Sequence, residues 1–558
     1  MLKNNNSLEF MAQTHEVLNQ PNCLENYNLY QQDLALQEAV KREGASWAEK
    51  ELLCFGKLCG DKNTIELGFQ ANENKPQFFS HDPHGHRIDE IRFHPAYHQL
   101  MKSSIEQGIH TSHWTSPQKG AHVARAAKFY MQAQVEAAHL CPITMTSAAI
   151  PTLLCQPEIL KQYGTQIKAT YYDPRNIPLE QKKGITIGMA MTEKQGGSDV
   201  RANTTKAIPI DQAGSGQAYH LVGHKYFVSA PMSDAFLTLA QTEEGLSCFF
   251  LPRWKPDGSK NPMQIQRLKI KMGNVANASC ETELRGAYAL MVGEAGRGIK
   301  TILNMVAMTR FDCMVGSSAG MRQAVMQAVH HCTYRSAFGA KLIKQPLMQN
   351  VLADLIIESE ASIVMSMRIA RALDNENKST SEDFLVRIGT AIGKYWICKR
   401  QAEHAFEAME CIGGSGVMED TIMPRLYRDS PINSIWEGSG NIQCLDVLRM
   451  LNKNPECIKA FMNEVNLSRN RHPNLDAMII KLEHEIVDLK DIEYRARTIV
   501  ELMALTLQGA LLAQSGNTEI FDAFCESRLC PKSRGLVYGN LPTGIDCTKI
   551  IERASGSI

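Results

Sequence analysis

Strand-forming sequence is confined to one internal block of this chain, residues 184 to about 290, and both flanks are patterned for helix. Within the block Tyr219–Val222, Lys225–Val228, Phe236–Ala240 and Ser247–Leu251 are short runs rich in β-branched and aromatic residues. Each is bounded by Gly, Pro, Asp or Asn. Several such runs at close spacing predict a small barrel or sandwich. Upstream, Ala121 to Ala138 places apolar residues at helical spacing, and Pro142 and Pro151 are expected to break the next apolar stretch into short pieces. Downstream, helix is expected from Ile299 to about Asn452. A polar, proline-punctuated connection follows from Asn452 to Asn474, and then Met478, Ile479, Leu482, Ile486 and Leu489 recur as one amphipathic helix. The expected fold is α+β: a helical domain over 1–183, a β-barrel domain over 184–290, a helical domain over 291–452 and a further helical region over 453–558.

Charge narrows the partners. The 558 residues carry 59 basic and 59 acidic side chains, so bulk electrostatics favour neither nucleic acid nor a membrane surface. Any such contact needs a local patch. The 16 cysteines include no C-x-x-C pair, and a chain of this length holds a core without disulfides, so reduced thiols in a cytoplasm are expected. The first residues, Met1-Leu2-Lys3-Asn4-Asn5-Asn6, lack the apolar core of a signal peptide. No apolar run reaches the roughly 18–20 residues that span a bilayer.

Two glycine-flanked acidic segments carry the chemistry. In Ile435-Trp436-Glu437-Gly438-Ser439-Gly440-Asn441 one carboxyl lies between an aromatic ring and small backbone. Burial there can tune it as a base, while the glycines let a planar cofactor or a thioester come close to the main chain. Upstream, Met189-Ala190-Met191-Thr192-Glu193 leads into Gly196-Gly197-Ser198-Asp199, an extended strand and loop suited to the edge of a flat heterocycle or to a diphosphate. In the strand Lys225-Tyr226-Phe227-Val228-Ser229, Phe227 and Ser229 share a face, so one can cover a ring that the other hydrogen-bonds. The tract His81-Asp82-Pro83-His84-Gly85-His86 holds three imidazoles, but Pro83 and Gly85 make it a turn without a fourth ligand, and no metal is expected. His330-His331-Cys332 lies on a helix where adjacent side chains diverge, and is expected to be structural.

The order of these motifs between helical blocks resembles the acyl-CoA dehydrogenase superfamily of FAD enzymes. More narrowly it resembles the AidB-like flavoproteins linked to the adaptive response to DNA alkylation. The narrower likeness is carried by Thr14-His15-Glu16-Val17-Leu18-Asn19-Gln20-Pro21, Arg92-Phe93-His94-Pro95-Ala96-Tyr97-His98, Leu140-Cys141-Pro142-Ile143-Thr144-Met145-Thr146 and Asn433 to Asn441. It covers residues 13 to about 452.

The resemblance implies a four-helix bundle over 291–452 and FAD as cofactor. By that resemblance Met189, Met191 and Thr192 line the flavin edge, and Ser198 sits where FAD meets the CoA pantetheine. Phe227, Val228 and Ser229 cover and bond the ring. Arg335-Ser336-Ala337-Phe338-Gly339 with Gln345 resembles an element that reaches the FAD of a neighbouring subunit, and Gly413 and Gly414 resemble the glycines at its diphosphate. Trp436, Gly438, Ser439 and Asn441 complete the cofactor set. The implied assembly is a homo-oligomer, a dimer of dimers.

Glu437 is then the expected catalytic base for the α-proton of an acyl-CoA thioester, with its own N–H holding the thioester oxygen. The family's alternative place for a base falls at Thr309-Arg310-Phe311, where no carboxylate stands. Trp436 replaces the more usual Tyr and would narrow the acyl channel. Double-stranded DNA is a further implied partner, with Arg528, Lys532 and Arg534 as candidate contacts in a region of balanced charge. Three readings stay open: an alkylation-response flavoprotein with weak isovaleryl-CoA dehydrogenase activity, an ordinary short branched-chain acyl-CoA dehydrogenase, and a DNA-binding protein that keeps FAD for structure.

Overall fold

Helices at both ends enclose one central sheet in the computed structural model, which describes residues 14–532, 535 and 537–556. The first helical region comprises α1 (Leu34–Arg42), α2 (Glu49–Cys59), α3 (Lys62–Glu73), α4 (Pro95–Glu106), α5 (Ser112–Thr115), α6 (Ala121–Val135), α7 (Leu140–Leu153) and α8 (Pro157–Ile167). Between α3 and α4 a hairpin of β1 (Gln77–His81) and β2 (Arg87–Arg92) interrupts a segment that reads as helical. Its turn is the histidine tract. Asp82 accepts from the His84 and His86 N–H groups, both at 2.9 Å, which commits the tract to the turn.

Every residue of α6 is buried, so the apolar face expected for it extends all the way round. Its arginine is tolerated because it is paired. The Arg125 guanidinium grips Asp312 with two nitrogens, one at 2.7 Å, and donates to the Ile109 carbonyl at 2.7 Å. Helix α7 runs unbroken through both prolines expected to divide it. Pro142 falls in the first turn, where an N–H has no helical partner to lose. At Pro151 the carbonyl four residues back is left without its donor, and the Trp114 indole N–H takes it at 3.1 Å.

The middle of the chain contributes β3 (Ile187–Ala190), β4 (Lys206–Pro209), β5 (Ala218–Ser229), β6 (Ala235–Thr242), β7 (Gly245–Pro252), β8 (Met263–Leu268) and β9 (Ser279–Val292). They form one sheet in the order β3-β6-β4-β5-β9-β7, with β8 beside β9. This is one open sheet and not the barrel expected for 184–290. Closure needs a continuous ladder at every seam. Here β6 pairs along its length with β7 but meets β4 at a single register pair, Lys206 with Gln241.

The C-terminal half is built on α9 (Gly298–Tyr334), α10 (Pro346–Asp374) and α11 (Thr380–Ile412), followed by α12 (Met423–Asp429), α13 (Ile432–Ile435) and α14 (Gly440–Lys453). Helices α9 and α11 approach closely at Gly393, where a Cβ would lie 2.3 Å from the Met314 methyl. A second hairpin, β10 (Ser336–Ala337) and β11 (Ala340–Lys341), joins α9 to α10.

The connection expected over 452–474 is instead largely α15 (Pro455–Asn466). Its proline opens a helix at the first position, where proline is at home, and does not end one. The fold continues through α16 (Pro473–Val487), α17 (Ala496–Ser515), α18 (Thr518–Phe524) and α19 (Cys547–Ser555), and Leu489 falls beyond α16 on the surface. Among the described residues α17 is the one helix long and apolar enough to cross a membrane, and 83% of that stretch is buried inside the protein. Ion pairs fasten this added region to the long helices: Arg368 with Glu464 at 2.8 Å, Arg528 with Asp354 at 2.5 Å, and Arg553 with Glu360 at 2.7 Å.

Asp312→Ala would leave Arg125 charged, buried and unpaired. The expected cost is about 3–5 kcal/mol, read as a lower chemical-denaturation midpoint; an unchanged midpoint would show the pair to be dispensable.

Candidate active site

Glu437 lies in the turn between α13 and α14 with its backbone in the left-handed region, at φ +56°, and Gly438 follows at φ +97°. A residue with a side chain is strained there and persists only where its surroundings hold it. The hold is on the carbonyls. Lys394 Nζ, from α11, donates to Trp436 O at 2.7 Å and to Gly438 O at 2.5 Å. Arg310 Nε, from α9, donates to Glu437 O at 2.8 Å, and Arg310 Nη1 is anchored on Asp446 of α14 at 2.9 Å. Gln443 Nε2 adds bonds to Glu437 O and Gly438 O at 3.3 and 3.0 Å.

The Glu437 carboxyl accepts from Thr309 Oγ1 at 2.9 Å. Desolvation raises its pKa above the ordinary glutamate value, against the Thr309 hydrogen bond and the charges of Arg310 and Lys394, which act to lower it. Its backbone N–H has no acceptor among the described residues. From α7 the Cys141 thiol lies against Ser229 and Asn277, within electrostatic reach of Glu437 and Lys271. Lys271, between β8 and β9, donates to Asn277 O at 2.9 Å and Ser279 Oγ at 3.1 Å; Ser279 Oγ is in turn 3.1 Å from Ser229 Oγ. Elements from both helical regions and the sheet therefore meet at Glu437.

On the sheet side, Glu193 is buried and fully engaged. It accepts from Lys225 Nζ at 2.8 Å, Thr204 N at 2.7 Å and Gln195 Nε2 at 2.7 Å. Burial alone would raise its pKa, but the Lys225 ammonium and these bonds outweigh that and hold it at about 2. The pair fixes the loop beside β5, where the Thr192 carbonyl takes the Tyr226 N–H at 2.8 Å. Met189 is buried, Met191 and Thr192 are half-buried, and Ser198 is exposed. On β5, Phe227 is 44% exposed and Ser229 shares its face, while Val228 points the other way into the sheet core. The contact expected of Val228 is thereby reduced to its backbone.

Arg335, Phe338 and Gln345 stand elsewhere. They lie past the end of α9, and from Thr309 to Tyr334 that helix runs roughly 37 Å. Phe338 and Gly339, at φ +51° and +82°, form the two-residue turn of the β10–β11 hairpin, and Phe338 is 99% exposed. Arg335 Nη1 donates to Asn19 O at 2.6 Å, and Gln345 Nε2 to Ala337 O at 3.2 Å. Gly413 and Gly414 follow α11 at the same end, where Cys332 Sγ meets Cys411 O at 3.8 Å; a Cβ on either glycine would touch nothing. The candidate residues thus fall into two groups well separated along α9.

Near Glu437, the Trp436 indole N–H is spent on Asn433 Oδ1 at 2.9 Å, Asn441 Oδ1 accepts from Arg497 at 2.8 Å, and Ser439 is the residue capping α14. Of the basic candidates, Arg528 is 12% exposed and bound to Asp354 and Glu358, which leaves its guanidinium committed to protein carboxylates. Lys532 is exposed, and Arg534 lies outside the described residues. Lys394, Lys271 and Cys141 are site residues that sequence reasoning passes over. Lys394 has a signal: a lone lysine inside Ala391-Ile392-Gly393-Lys394-Tyr395-Trp396-Ile397 has no solvated face to occupy.

Known proteins resemble this chain in sequence and fold. Residues 19–174 match the adaptive response protein AidB N-terminal domain, 188–287 the acyl-CoA dehydrogenase middle domain, and 296–451 the acyl-CoA dehydrogenase C-terminal domain. The chain is 44% identical over 519 residues to the putative acyl-CoA dehydrogenase AidB of Escherichia coli (strain K12), covering 93% of this chain and 95% of that one. It is 31% identical over 458 residues to acyl-CoA dehydrogenase family member 11 of Caenorhabditis elegans, covering 79% and 73%. The crystal structure of Caenorhabditis elegans ACDH-11 in complex with C11-CoA matches with a TM-score of 0.85 at 26% identity, over 95% of each chain.

Thr309→Val removes a hydrogen bond that favours the ionised carboxyl. The pH at which Glu437 loses its proton, read from carbodiimide labelling quantified by peptide mass spectrometry, is expected to move further up; no movement would mean that Thr309 does not tune it.

Proposed function

The chain belongs to the acyl-CoA dehydrogenase superfamily as an AidB-like member, and on that premise we propose a FAD-dependent oxidoreductase of the response to DNA alkylation. Its substrate is a short branched-chain acyl-CoA such as isovaleryl-CoA, oxidised at low turnover. The observation that carries this reading is the Glu437 turn: a desolvated carboxyl beside a free backbone N–H, held by two cations in a strained conformation.

The chain's residues fit a flavin. Gly413 and Gly414 leave bare backbone where a diphosphate would approach, Phe338 offers an open aromatic ring, and Phe227 is part exposed with Lys269 over its ring at 4.6 Å. Met191, Thr192 and Ser229 supply an edge with polar groups. Because the Phe338 hairpin and Gly413 lie at the far end of α9 from Glu437, they serve a flavin held by a second copy. The working form is a cytoplasmic homo-oligomer, read as a dimer of dimers.

When bound, FAD supplies the acceptor for the hydride that leaves the β-carbon as the α,β double bond forms. The protein does the rest. The Glu437 N–H donates to the thioester oxygen and stabilises the charge that builds there as the α-proton departs. The Glu437 carboxylate takes that proton, with Thr309 steadying Oε2. Desolvation brings the base closer to the operating pH, which favours the transfer. Trp436 narrows the entry and selects short chains. For double-stranded DNA, Lys532 is the exposed contact among the described candidates; so few phosphate contacts give only a shallow salt dependence.

Anaerobic titration with isovaleryl-CoA is expected to bleach the flavin, and Glu437→Gln to slow that bleaching by roughly 10²–10⁴-fold with FAD retained. Since the folded pKa of Glu437 is raised, the base form is lost as pH falls through a value above the ordinary one of about 4.3; the acid limb of the bleaching rate should lie there. A flavin that dithionite reduces and no short acyl-CoA bleaches would sink the reading. Gly414→Val is expected to leave the melting point of the cofactor-free chain unchanged while weakening FAD retention in gel filtration; equal retention would place the diphosphate elsewhere.

A further inference from the structure

Lys394 is 1% exposed in the middle of α11, and among the described residues no carboxylate lies within ion-pair distance of it. The titratable and charged groups around the Glu437 turn are Arg310 and Cys313 from α9, Lys394 and Cys398 from α11, Cys141 from α7 and Asp446 from α14. Arg310 is neutralised by Asp446. Lys394 is not neutralised by contact, and two of its three donors go to main-chain carbonyls.

Trp436 O and the Glu437 N–H belong to one peptide, and in a trans peptide the two point in opposite directions. Drawing Trp436 O onto Lys394 turns the Glu437 N–H away from α11, and that N–H is the one left without an acceptor. The next carbonyl, Glu437 O, is drawn onto Arg310, and the one after it, Gly438 O, comes back to Lys394. Two cations from two helices therefore grip three successive carbonyls, and the left-handed conformation of Glu437 is the backbone that satisfies both.

We infer that Lys394 is a positioning residue that sets the direction of the Trp436–Glu437 peptide and adds, beside Arg310, a second positive charge near the Glu437 carboxyl. What the N–H then meets, a thioester oxygen, rests on the dehydrogenase reading. Lys394 itself touches no substrate. A neutral side chain would leave two buried carbonyls without their strongest donor and leave the carboxyl to Arg310, whose charge is shared with Asp446.

Three variants of the full-length, FAD-loaded protein test this. Lys394→Met removes donor and charge, Lys394→Gln keeps a donor alone, and Lys394→Arg keeps both. With isovaleryl-CoA, Lys394→Met is expected to lower the maximal bleaching rate by about 10²-fold or more, as losing an oxyanion donor does, with half-saturation little changed and Lys394→Arg restoring much of the rate. A second readout needs no turnover: carbodiimide labelling of the protonated Glu437 carboxyl, followed against pH. Its midpoint is expected to rise by about one pH unit, a tenfold change in the proton equilibrium, in Lys394→Met and Lys394→Gln, and to return in Lys394→Arg. An unchanged midpoint in a variant with normal FAD content overturns the inference. Should Lys394→Met fail to fold, Lys394→Gln carries the same measurement. A wild type that isovaleryl-CoA does not bleach would refute the dehydrogenase reading alone, and the labelling midpoints would still decide the role of Lys394.

Discussion

A buried guanidinium and carboxylate, Arg125 and Asp312, register the two halves of this molecule against each other. Asp312 sits on α9 three residues after Thr309, and also accepts from Thr144 on α7, three residues after Cys141. Residues three apart lie on one helix face. A single carboxylate therefore sets the rotation of both helices that look onto Glu437, and it does so from a layer below the site. The desolvation penalty of such a pair is large, and its net contribution to stability is small beside what is lost when one partner is removed. Its value is geometric: it allows one arrangement of α6, α7 and α9.

What was legible beforehand was local. The acidic turn at 435–441, the main block of strands and the turn at His81–His86 announce themselves within a few residues, because glycine, proline and β-branched side chains act on the backbone next to them, whereas the hairpins at 77–92 and 336–341 do not. What was not legible depends on distant partners. Pro151 reads as a breaker until Trp114 supplies the missing donor. Close strand spacing cannot distinguish a closed barrel from a sheet whose β4 and β6 barely touch. Pro455 looks like the end of a helix and is the start of one. Arg528 counts as free positive charge until Asp354 and Glu358, some 170 residues earlier, neutralise it.

The candidate site divides along the same line. Glu437 and the β5 pair Phe227 and Ser229 follow from their immediate sequence. Lys394 is marked only as a lone lysine in an apolar run, and what it and Arg310 hold cannot be read beforehand, because carbonyl oxygens belong to every residue and no sequence marks them. Long helices solve this by delivering single side chains across great distances: α9 brings Arg310 to one end and the Phe338 hairpin to the other. One element thus carries both groups of candidate residues, so the spacing between them is as rigid as the helix.

The strained backbone at Glu437 has an evolutionary side. A left-handed residue with a Cβ gives up about 1–2 kcal/mol relative to glycine. On the proposed reading, glycine there would make a more stable turn without the base, so selection for stability and selection for chemistry would pull this one position in opposite directions. On that reading, a lineage without acyl-CoA chemistry would gain stability by exchanging this glutamate for glycine.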